Sequence, residues 1–163
     1  MPSSWKGVIS GLFATILISL VILALNAAGI LPQLDIVRLI DALGSIQIAA
    51  AWVDHFIVGT LLWGPIFSAY DAMSSPTRPR WQKGLIFGTI TWVLMMVIFM
   101  PVVGGGLFGL KFGTVEPIGM LGMNLIYGLA IGVLYDLLDK QFPTKSLISS
   151  EPPLPEMAKF KDS

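Results

Sequence analysis

Few residues in this chain could do chemistry. Its single histidine, His55, stands beside Asp54 in AWVDHFIVGTLLWG (51–64), a run otherwise suited to lipid, and Asn124 lies in a second such run. An Asp at the middle of a membrane helix costs about 2.5–3.5 kcal/mol on insertion scales, so each polar residue there needs a reason. Histidine titrates near neutral pH, which suits it to proton transfer, to solute contact or to a single axial bond to haem. The plainer reading is that His55 hydrogen-bonds Asn124 or a backbone carbonyl and fixes helix register. Helical rotation of about 100° per residue keeps Asp54 and His55 from facing one ligand together. Gly59, one turn from His55, makes room for a backbone or a ligand, whereas Asp54 is expected at the outer interface near Arg38 or Lys111.

Other chemistries find no residues. The chain has no Cys, so thiolate nucleophiles, disulfides and cysteine metal sites are excluded. The formal net charge of zero argues against a nucleic-acid partner. The GGG at 104–106 lacks the Lys-Ser/Thr of a phosphate loop, and there is no dinucleotide fingerprint. No catalytic residue, metal or cofactor is therefore assigned.

The elements that position these residues are membrane helices. Of the 163 residues, 55% are hydrophobic and 12% charged, about half the charge of a soluble domain. Apolar windows predict four spans, at about 5–28, 48–70, 84–103 and 115–138, within a transmembrane domain over 1–141. A flexible Pro-rich tail is expected over 142–163. Eight of the ten basic residues (Lys6, Arg78, Arg80, Lys83, Lys140, Lys145, Lys159 and Lys161) fall on one side. The positive-inside rule then puts both termini and the middle loop in the cytoplasm.

The halves look related. WKGVISG (5–11) matches QKGLIFG (82–88), and HFIVGTLLWG (55–64) matches NLIYGLAIG (124–132), aligning His55 with Asn124 and Gly59 with Gly128. Both second spans end in Tyr-Asp, at Tyr70–Asp71 and Tyr135–Asp136. Two hairpins that start on the same side make a parallel repeat about an axis along the membrane normal. Gly7, Gly11, Gly84, Gly88, Gly128 and Gly132 recur at small-xxx-small spacing and, with Gly59, are expected to pack helices closely, within the chain rather than between chains. Residues 33–45 read as a short interfacial helix. PVVGGGLFGLKFG (101–113) reads as an ordered or re-entrant turn in which Phe108 and Phe112 need cover.

The HFIVGTLLWG, PVVGGGLFG and KG-x-I-x-G segments together resemble a bacterial family of small four-span membrane proteins known only as a domain of unknown function. That resemblance covers about residues 6–138. It implies an all-α four-helix inner-membrane bundle and supplies no site residues. The resulting expectation is a non-enzymatic accessory or scaffold subunit, or a homo-oligomer, with lipid and a membrane-complex partner around it. The alternatives are a small transporter or proton channel using His55, Asn124 and Asp54, and, more weakly, a haem- or quinone-binding subunit using His55.

Overall fold

The computed structural model describes residues 4–30, 45–102, 104–111 and 113–143. The interfacial helix expected at 33–45 and the tail beyond residue 143 lie, but for Ser45, outside the described residues, as does Phe112. The described chain is all-α, a bundle of four long helices without strands. Helix α1 is Ser4–Ala27. Helix α2 (Ser45–Ile57) runs through a π segment (Val58–Trp63) into α3 (Gly64–Met73) without a break. Helix α4 (Arg80–Leu94) likewise passes through a π segment (Met95–Phe99) into α5 (Met100–Val102), and α6 is Glu116–Gln141. Four stretches are long and apolar enough to cross a membrane: Ser4–Ala27, Trp52–Met73, Arg80–Val102 and Pro117–Gln141, here spans one to four. Span three starts at Arg80 rather than Gly84, because its charged first turn is already helical after extended Pro79.

Span one packs on spans two and four, and span three packs along span four. Glycine sets the closeness of both hairpins, since backbones meet where side chains are missing. A methyl added to Gly7 would strike the Gly64 carbonyl of span two, and one added to Gly84 would strike the Gly128 carbonyl of span four. Spans two and three instead meet through rings. Phe67 lies 5.3 Å from Phe87 and 5.5 Å from Tyr135, ring to ring, both near edge-on. Edge-to-face packing of this kind adds to the apolar burial of the rings. Phe67, Phe87, Ile131 and Tyr135 are the buried centre of the core.

The contacts repeat between hairpins, in a register that spacing alone does not predict. Gly11 abuts Gly59 and Gly64, whereas Gly88 abuts Asn124 and Gly128. Gly59 therefore corresponds to Asn124, and Gly64 to Gly128. Five residues separate the first pair and four the second, and the π segment at 58–63 absorbs the extra one. The expected match of His55 with Asn124 is thus displaced by one turn.

Residues 104–111 form an ordered turn that closes on span three: the amides of Gly105 and Lys111 donate to the carbonyls of Met100 and Gly105. Phe108 adopts a left-handed φ of 57°, uncommon outside glycine, and packs its ring 5.8 Å from Trp92. Trp92 Nε1 in turn donates to the Pro117 carbonyl at 3.0 Å, tying the start of span four to span three.

The crossing geometry yields a stability prediction. A Cβ at Gly128 would meet the Gly84 carbonyl and stand 3.0 Å from Gly88 Cα, both rigid backbone. Gly128→Ala should destabilise the bundle by about 1–3 kcal/mol. Gly122→Ala, with nothing within 4 Å of the new methyl, should be neutral or slightly stabilising. Unfolding in mixed micelles measures both.

Candidate functional site

The polar residues of the spans divide into two groups. In the interior, His55 Nε2 lies 3.2 Å from Ser19 Oγ on span one. Ser19 gives its hydroxyl proton to the Thr15 carbonyl at 2.7 Å, so Nε2 is the donor in the His55 contact. Trp52 and Phe56 hold the ring edge-on, each 5.8 Å away. Asn124 belongs to the other hairpin. Its Nδ2 donates to the Met120 carbonyl at 2.9 Å, and its Oδ1 accepts from Thr91 Oγ1 of span three at 3.1 Å. The expected His55–Asn124 hydrogen bond is not formed: each residue serves its own helix pair. Asp54 is exposed on a different face from His55, and no ion pair joins it to Lys111 among the described residues. Tyr127 Oη crosses from span four to the Gly59 carbonyl at 2.6 Å.

The second group was read from sequence only as a topology signal. At the end of the bundle that holds Ser4, the 74–79 connection and Gln141, Lys6, Arg80 and Lys83 turn inward. Lys6 is 1% exposed and Lys83 4%, which is rare for lysine without partners. Lys83 Nζ donates to Asp71 Oδ1 at 2.7 Å and to the Asp71 carbonyl at 3.2 Å. Lys6 Nζ donates to Asp139 Oδ1 at 2.6 Å and to the Phe142 carbonyl. Each lysine starts one hairpin and bonds the second helix of the other, taking both a carboxylate and a C-terminal carbonyl. A cation at a helix C-terminus also gains from the helix dipole.

Arg80 joins the two pairs. Its guanidinium reaches Asp71 at 3.2 Å, Asp136 at 3.1 Å and Asp139 at 2.6 Å, while its carbon sits 5.5 Å from the Tyr135 ring centre. Only a planar fork of five donors can serve three carboxylates and an aromatic face at once. The result is one chain of ions, Lys6–Asp139–Arg80–Asp71–Lys83, that touches all four spans. Lys140 extends it through Asp136 at 2.6 Å. Below it, Tyr135 Oη shares a hydrogen bond with Ser68 Oγ at 3.1 Å.

Chemically, this cluster is a clamp. Every acid in it faces a cation, so none is poised to take a proton from a substrate. No three His or acidic side chains converge as metal ligands among the described residues. A groove lined by Asp71, Ser74, Thr77, Arg78 and Arg80 opens beside the cluster. The sequence did carry a signal for the clamp. Lys6 and Lys83 occupy matched positions in the repeat, each directly before a packing glycine, opposite spans that end in aspartate.

Two predictions separate the groups. Lys83→Met strands part of the Asp71 charge and should cost about 3 kcal/mol, the low end for a broken buried pair, because Arg80 remains. Adding Asp71→Leu should cost less than the sum of the two single changes, as a double-mutant cycle reads directly. His55→Ala and Asn124→Leu, by contrast, should each cost about 1 kcal/mol and be additive within about 0.5 kcal/mol, because they share no partner. Coupling between His55 and Asn124 would mean that they share one site.

Comparison with known proteins adds the family. No curated protein and no solved structure matched the chain. The model of a family of unknown function, DUF6789, matches residues 1–146, which include all four spans and every residue of the clamp. The chain therefore belongs to the DUF6789 family of unknown function.

Proposed function

We propose that this protein is a non-enzymatic integral protein of the bacterial cytoplasmic membrane, serving as an accessory or scaffold subunit of a membrane complex. Both termini and the ion clamp lie on the cytoplasmic side in this reading, which the inward bias of the basic residues supports. One observation carries the proposal: His55, Asn124 and the clamp's Lys6, Arg80 and Lys83 are all engaged in joining helices. His55 serves spans one and two, Asn124 serves spans three and four, and Lys6, Arg80 and Lys83 serve the contact between hairpins. Polar side chains used in this way act as glue between helices rather than as a transport path.

The same bookkeeping favours a different partner over self-association through glycine. The faces of Gly7, Gly11, Gly84, Gly88 and Gly128 are occupied within the chain. A hetero-partner would meet instead the side-chain surface of the spans or the cytoplasmic end, where Trp5 and Trp81 are about half exposed (47% and 46%).

The test is purification of the tagged protein from its native membrane in lipid nanodiscs, with mass spectrometry of what accompanies it. The expected result is one membrane protein recovered in stoichiometric amount. A lone monomer that carries proton flux in liposomes, or a visible absorbance lost in His55→Ala, would overturn the reading.

A further inference from the structure

The groove at the 74–79 connection has a volume of about 470 Å³ and is lined by three cations, Arg78, Arg80 and Lys83. The clamp carboxylates hold Arg80 and Lys83. Arg78 is exposed and forms no ion pair among the described residues. Both carboxylates of the groove are already engaged, Asp71 by Lys83 and Arg80, and Asp136 by Arg80 and Lys140. Among the described residues, this end of the bundle sets Lys6, Arg78, Arg80, Lys83 and Lys140 against Asp71, Asp136 and Asp139. Positive charge is in excess there, and Arg78 presents it to the groove.

The loop that carries Arg78 is tied in several places. Pro76 and Pro79 flank Thr77 and Arg78 and restrict the backbone on either side. Ser74 Oγ donates to the Tyr70 carbonyl at 2.6 Å, and the Arg78 amide donates to the Ser75 carbonyl at 3.3 Å. Ser75 Oγ and Thr77 Oγ1 share a hydrogen bond at 2.8 Å, and two hydroxyls joined in this way keep one proton to donate outward. The groove thus offers a guanidinium fork and a hydroxyl donor from a loop shaped before any ligand arrives. Apolar side chains are bared beside it: Met73, next to Ser74, is 89% exposed, and Trp81, next to Arg80, is about half exposed. Tryptophan beside a charged recess at the end of a span is the composition of the level where headgroups meet acyl chains.

We propose that this groove binds the phosphate of an anionic phospholipid, held by Arg78 and a hydroxyl of the 74–79 connection. The ligand class follows from the charges. A guanidinium pairs with a phosphate through two parallel hydrogen bonds, and Arg78 is the cation whose charge is still unmatched. A cation would find no open carboxylate, since Asp71 and Asp136 each already hold two basic side chains. A phospholipid that balances its phosphate with an ammonium group fits less well, because that group meets the excess positive charge. Basic recesses at the ends of membrane helices hold anionic headgroups by this chemistry. The proposal rests on the membrane reading given above and is independent of any partner subunit.

Native mass spectrometry of the full chain, released from detergent micelles with added lipid, tests this. One phosphatidylglycerol should bind per chain, and more tightly than phosphatidylcholine. Arg78→Gln should weaken phosphatidylglycerol binding about tenfold, as the loss of a charged hydrogen-bond donor requires. Lys111→Gln, which removes the same charge at the opposite end of the bundle, should leave it unchanged. Inorganic phosphate in excess should not displace the lipid. Phosphatidylglycerol held no better than phosphatidylcholine, unchanged binding in Arg78→Gln, or displacement by inorganic phosphate would each overturn the proposal. Insertion into phosphatidylcholine vesicles checks the membrane reading separately. A chain that inserts but holds both lipids alike refutes the site alone, and one that does not insert refutes the site and the membrane reading together.

Discussion

Two lysines buried at one end of an apolar bundle constrain everything around them. An ammonium ion taken out of water is costly unless a counter-ion and further hydrogen bonds replace its hydration. Lys6 and Lys83 each find a carboxylate and a helix-terminal carbonyl, and in both cases the partner belongs to the opposite hairpin. Both lysines therefore tie one hairpin to the other. Arg80 closes the exchange by holding Asp71 and Asp139 together.

The Lys-Gly dipeptide at the head of each hairpin follows from the same constraint. Adjacent helical residues point about 100° apart. Gly7 and Gly84 press their backbones on the second helix of their own hairpin, while Lys6 and Lys83 reach for that of the other. Two neighbouring residues thereby fix two helix contacts at once. The remaining space, between spans two and three, is filled by Phe67, Phe87 and Tyr135 rather than by close backbone approach. Approximate symmetry at the clamp coexists with different packing on the two sides.

Much of this could be read from sequence. Hydropathy locates the four helices, the KG-x-I-x-G match pairs Lys6 and Gly7 with Lys83 and Gly84, and the Gly-rich segment after span three is an ordered turn. Direction was harder to read. A lysine at the edge of an apolar run has the same composition whether it snorkels to the headgroups or turns inward, so the basic residues registered as an orientation signal and not as a structural one. The register also escaped. HFIVGTLLWG is one residue longer than NLIYGLAIG, and spacing does not say whether a loop or a helix absorbs the difference. The backbone absorbs it in a π turn, because Gly59 and Gly64 must both face span one. The register, with Gly59 rather than His55 at the level of Asn124, separates the two polar residues and makes them independent helix ties.

The inward direction of the lysines is the central claim, and it has a direct measurement. Rotational-echo double-resonance NMR on protein in lipid bilayers, with lysine labelled at 15Nζ and aspartate at 13Cγ, reads the ammonium–carboxylate distance. Strong dephasing of the Lys83 signal, assigned by its loss in Lys83→Met, is the predicted result, as a hydrogen-bonded pair at 2.7 Å requires. A Lys83 signal with no recoupling to aspartate would place the ammonium at the headgroups and contradict the account.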